Sequence, residues 1–112
     1  MMTADEFRSL ALSLPEAVEQ AHFERASFRV RGKIFATLKG DQAVLKLAVE
    51  EQTALVAADQ ETFFLPGWNH QGWTGVRLGQ ADPAEIEALL ETAWRNVAPK
   101  KLVRAQEKKD LP

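Results

Sequence analysis

The stretch "SFRVRGKIFATL", Ser27 to Leu38, decides the fold. Phe28 and Val30 alternate with Arg29 and Arg31, a period of two that sets apolar side chains on one side of a strand and cations on the other. β-branched and aromatic residues continue through Ile34, Phe35 and Thr37, and Gly32 supplies a tight turn between the halves. The stretch predicts a hairpin of roughly 26–31 and 33–39. Its loop has two or three residues, and that number decides which of Ile34 and Phe35 faces inward.

Working outward, Gly40-Asp41 makes a second turn into "AVLKLAV", with Leu45, Leu47 and Val49 on one side and Val44, Lys46 and Ala48 on the other. "GWTGVRL" alternates again: Trp73, Gly75 and Arg77 lie opposite Thr74, Val76 and Leu78. "TFFL" is a shorter strand candidate, and "EAVEQAHFERA", before the hairpin, reads as a connector or a short edge strand. Helices flank these strands. Thr3 and Glu6 form a capping-box pattern ahead of Phe7, Leu10, Ala11 and Leu14, and Pro15 stops that helix. Glu50 and Glu51 open a short helix, "EEQTALVAAD", with the acids near its positive end. Asp82 as cap, Pro83 at the first helical position and Glu85 start the longest helix, whose Ile86, Leu89, Leu90, Ala93, Trp94 and Val97 share a face. Pro99 restarts a basic helix, "PKKLVRAQEKK", whose end (107–112) is expected to fray.

Tight turns join neighbouring strands, which antiparallel pairing permits and parallel pairing does not. The expected fold is therefore α+β: two layers, one antiparallel sheet with helices on a single face. At 112 residues it forms one domain over 1–112.

Composition excludes several functional classes. No apolar run is long enough to span a bilayer, and the N-terminal residues lack the pattern of a secretory signal, so no membrane role and a cytoplasmic location are expected. Without cysteine there is no disulfide, thiolate metal site or thiol nucleophile. His22 and His70 have no metal-ligand spacing, and His22 has only Ser27 nearby as a nucleophile to activate. The chain is thus expected to be no enzyme, with no cofactor and no metal. Net charge is −2, yet the basic residues cluster. Arg25 to Lys46 carries Arg25, Arg29, Arg31, Lys33, Lys39 and Lys46 against Asp41 alone, and the last helix carries Lys100, Lys101, Arg104, Lys108 and Lys109.

"LPEAVEQAHFERASFRVRGKIFATL", the strand holding Lys46, "GWTGVRL" and a helix ending "AWRNVAPKKL" together resemble the MmcQ/YjbR family over about residues 5–105. The resemblance implies a two-layer α+β fold similar to secretion chaperones and a DNA-binding role through a paired-wing β surface. It carries no catalytic residue and no cofactor. In the loop "WNHQGW", Asn69 and Trp73 fit the family pattern, while His70, Gln71 and Gly72 replace its lysine and histidine. Ala93-Trp94 stands where relatives carry Ser-Tyr.

The residues and the resemblance converge on one expectation. If helices cover the Phe28, Leu45 and Val76 side, then Arg29, Arg31, Lys46, Arg77 and Trp73 gather on the other side. Guanidinium groups there suit phosphate, and an aromatic suits a stacked base. With Lys33, Lys100 and Lys101 they form the expected DNA-binding set. A protein- or peptide-binding adaptor of chaperone-like fold is the alternative. Trp68 is expected to fold onto the core or the sheet rim and Trp73 to be the more exposed.

Overall fold

A computed structural model describes residues 1–67 and 71–110, the side chain of Asp110 excepted. Its order is α1 (Ala4–Leu12), β1 (Ala17–His22), β2 (Arg25–Val30), β3 (Lys33–Lys39), β4 (Gln42–Lys46), α2 (Val49–Ala58), β5 (Phe63–Phe64), β6 (Trp73–Arg77), α3 (Pro83–Val97) and α4 (Lys100–Asp110), with a 3-10 turn at Leu78–Gln80. The six strands form one antiparallel sheet in the order β1-β2-β3-β4-β6-β5. The fold is α+β, as the alternation required.

The β2–β3 loop has two residues, Arg31 and Gly32, at φ 52° and 83°. Two successive left-handed residues are what a short hairpin loop needs to match strand twist. Arg31 is therefore a turn residue, not a strand residue sharing the face of Arg29, which corrects that expectation. A bulge inside the pair, where Phe28 faces Ala36 but Arg29 faces Ile34, turns Phe35 into the core and leaves Ile34 on the opposite side. The weak segment before the hairpin is a complete strand, β1, paired along its length with β2 through a second two-residue loop, Phe23-Glu24.

Thr3 and Glu6 close the capping box of α1 with reciprocal bonds of 3.0 and 3.1 Å. Asp82 occupies the cap position of α3 but its side chain makes no cap bond, another correction. Pro83 at the helix start and the backbone bond from Ile86 N–H to the Asp82 carbonyl begin that helix. Helices α1 and α3 pack on β1, β3 and β4. Phe7, Ile86, Leu90 and Trp94 join Phe28, Leu45, Val76 and Phe63 in one buried cluster. Each such side chain contributes about 1.5–3 kcal/mol by leaving water. The Trp94 indole N–H donates to the Pro15 carbonyl at 2.9 Å, tying α3 to the entry of β1. Helix α4 lays Leu102 and Val103 on the same cluster and runs to Asp110, into the segment expected to fray.

Candidate ligand-binding face

The face of the sheet opposite that cluster is organised in rows, because register partners share a face. The middle row runs Gln20, Ser27, Thr37, Val44, Gly75 and Phe64 from β1 to β5. On one side of it lie His22, Arg25, Lys39, Gln42 and Arg77; on the other lie Val18, Arg29, Ile34, Lys46 and Trp73. Arg29, Lys46, Trp73 and Arg77 thus fall on the uncovered face, as expected. The middle row is not a wet surface. Ser27, Thr37 and Val44 are 0%, 4% and 2% exposed, although Val44 lies outside the core cluster.

Several cations are held by neutral partners. Arg29 donates through Nε to the Ser27 hydroxyl at 3.0 Å and faces His22 Nδ1 with Nη2 at 3.4 Å. The Ser27 hydroxyl in turn donates to the Gln20 carbonyl at 2.8 Å. Lys46 Nζ donates to the Gln71 carbonyl and stands 5.1 Å above the Trp73 ring. Arg77 donates to the Gln60 and Glu61 carbonyls and stacks 4.5 Å from the Phe64 ring. That ring lies against Gly75, where an added Cβ would meet it at 2.4 Å; glycine at 75 makes room for Phe64. Gly72, at φ 88°, is pressed onto Leu47, whose carbonyl oxygen an added Cβ would meet at 1.8 Å. Trp68 and His70 lie outside the described residues.

The remaining expected cations go elsewhere. Arg31 pairs with both carboxylate oxygens of Glu16, which holds the Glu16 carboxyl below the usual glutamate range and raises the Arg31 guanidinium. Lys33 faces Val30 in the register and so stands on the helix side at the sheet's end. Lys100 and Lys101 are on α4, in the helix layer.

Three residues outside the expected set complete the face. Arg25 projects from β2 beside Lys39 and has no hydrogen bond or ion pair among the described residues. Phe23, in the β1–β2 loop, is 93% exposed and has φ 59°, a left-handed conformation that bulky residues rarely adopt. Thr37, beneath them, has a buried Oγ1 with no hydrogen-bond partner. A cavity of about 640 Å³ opens here, with Thr37 in its lining together with Phe23, Arg25, Ile34, Lys39 and Trp73. Lys39 is paired at 3.0 Å with Glu24, and its ammonium holds that carboxyl below the usual range. A turn carrying phenylalanine where glycine or asparagine is usual gave no turn signal, which is why sequence reading passed over this end of the face.

Architecture and face together define a small two-layer α+β protein with a cationic, cavity-bearing sheet surface. The YjbR family model matches residues 12–96, and the chain belongs to the YjbR family. Its structure is similar to the crystal structure of protein DR2400 from Deinococcus radiodurans, described as a DUF419 domain. The TM-score is 0.79 at 25% identity, covering 100% of this chain and 91% of that one. A protein from Pseudomonas syringae shares the fold with a TM-score of 0.67 at 18% identity, over 85% of this chain and 98% of that one. No curated protein matches.

Proposed function

We propose that the chain is a non-enzymatic, cytoplasmic nucleic-acid-binding protein that holds DNA on the uncovered face of its sheet. One observation carries the reading. In a chain of net charge −2, the strand residues of this face include Arg25, Arg29, Lys39, Lys46 and Arg77 and no acid. Arg29, Lys46 and Arg77 are held by neutral groups, so their charge remains available to phosphate. Trp73 adds an aromatic surface on which a base can stack. Phosphate contacts then dominate affinity, and sequence preference is modest.

The test is a salt series of fluorescence anisotropy with random single-stranded and duplex DNA. With three or four phosphates engaged, log affinity on single strands falls against log salt with a slope of roughly −2 to −3. The double variant Arg25→Glu, Lys39→Glu lowers affinity at least about tenfold by reversing two charges at the phosphate path. The variant Lys100→Glu, Lys101→Glu, on α4, leaves it unchanged. Absence of binding at low salt, or equal loss in both variants, overturns the reading. The outer side of β1, an edge among the described strands with Val18 47% exposed, favours a second reading, in which a peptide adds as a further strand. That reading predicts salt-insensitive binding of a protein partner.

A further inference from the structure

Three features meet at the β1–β2 end of the face, where the Phe23 ring stands edge-on to His22 at 4.8 Å. Phe23 projects into solvent from a backbone conformation that disfavours it. The Thr37 hydroxyl is buried with no partner. Arg25 is a cation whose charge nothing among the described residues neutralises. The first two are unfavourable in the isolated protein, the third leaves a cation available, and all three border the same cavity. Strain and unmet polar groups that persist together mark a place where a ligand supplies what is missing.

The chemistry of that ligand can be read from the walls. Phe23 and Trp73 offer flat aromatic surface and Ile34 an aliphatic one, which together suit a planar ring. Thr37 Oγ1 is closed off from the cavity as it stands, and a turn about the Cα–Cβ bond presents it to the polar edge of such a ring. Arg25 stands at the same cavity, whose one carboxylate, Glu24, is paired with Lys39, and guanidinium geometry matches phosphate. Among phosphorylated compounds with a planar, polar-edged ring, a nucleotide is the one that a DNA-binding face would meet. The volume of about 640 Å³ falls within the roughly 300–1,000 Å³ of small-ligand sites.

We propose that this cavity receives one unpaired nucleobase, stacked against Phe23 and Trp73 and bonded at its edge by Thr37, with its phosphate on Arg25. The assignment rests on the DNA-binding reading and sharpens it: the protein grips a strand at a base turned out of the stack, not by its backbone alone. Cations elsewhere on the face follow the flanking phosphates.

The experiment compares a labelled eight-nucleotide thymidine strand with an abasic strand of the same length, for the unaltered protein and for Phe23→Ala and Thr37→Val. The thymidine strand binds about tenfold more tightly than the abasic one. Phe23→Ala removes most of that advantage, and Thr37→Val weakens thymidine-strand binding about fivefold. Neither substitution alters affinity for the abasic strand, which separates loss of a base contact from damage to the fold. Equal affinity for both strands, or equal losses on both, overturns the base pocket while leaving DNA binding on the sheet intact. Thymidine monophosphate forms the second arm, followed by amide NMR shifts at Phe23, Arg25 and Thr37. Shifts with the free nucleotide but no binding of any strand leave the pocket assigned and sink the DNA reading.

Discussion

A single hydroxyl shows how far the site departs from what stability alone would select. Thr37 sits mid-strand, 4% exposed, between Ser27 and Val44, with Oγ1 unbonded. Valine has the same shape and no polar atom to leave unpaired, so Thr37→Val is expected to stabilise the protein by about 1 kcal/mol. Urea unfolding measures this directly, and a loss of stability would mean that the hydroxyl is bonded in solution. The same substitution is expected to weaken nucleotide binding. Opposite signs for stability and binding at one position are the signature of a functional residue. Alternation placed Arg29, Lys46, Trp73 and Arg77 on the correct face. It misplaced Arg31 because period-two reasoning assumes extended backbone, and Arg31 has already entered the left-handed turn.

The elements were legible wherever a periodic pattern or a glycine turn marked them. The β2–β3 hairpin, the capped α1 and the apolar face of α3 all follow from such signals. The β1–β2 hairpin was not legible, because neither Phe23 nor Glu24 is a turn former. Left-handed backbone at a non-glycine residue costs about 1–2 kcal/mol, and Phe23 recovers little by burial at 93% exposure. Asparagine tolerates that conformation, so Phe23→Asn is expected to raise stability by about 1 kcal/mol. A thermal midpoint that falls instead would show that the ring supports the hairpin. The cavity at this end was equally hidden, since its lining residues come from β1, β2, β3 and β6 and the β1–β2 loop. That gathering follows neither from composition nor from spacing along one strand.

For the molecule as a whole, charge is partly segregated: cations line the open sheet face while many acids occupy turns and helix starts. Four of those acids are held below their ordinary range. Glu6 is lowered by the Thr3 backbone and hydroxyl, Glu16 by Arg31, Glu24 by Lys39, and Asp59 by the Thr62 side chain and backbone. A carboxyl depressed in the folded state leaves the unfolded chain binding more protons. The stability it contributes is therefore complete above the ordinary glutamate value of 4.5 and is lost as pH falls through the depressed values. Urea midpoints are expected to stay level from about pH 7 to about pH 5.5 and to fall below about pH 4.5. Glu16→Gln with Arg31→Gln removes part of that decline; a pair without effect on the acid limb would show that the ion pair is not formed in solution. The sheet also ends unequally. At one margin stand only Phe63 and Phe64, with Arg77 laid over the Phe64 ring. At the other, six residues of β1 leave one side of their backbone without a neighbouring strand among the described residues. A concentrated sample under stress will therefore start to form fibrils at Ala17–His22, and a lysine in place of Val18 should lengthen its shelf life.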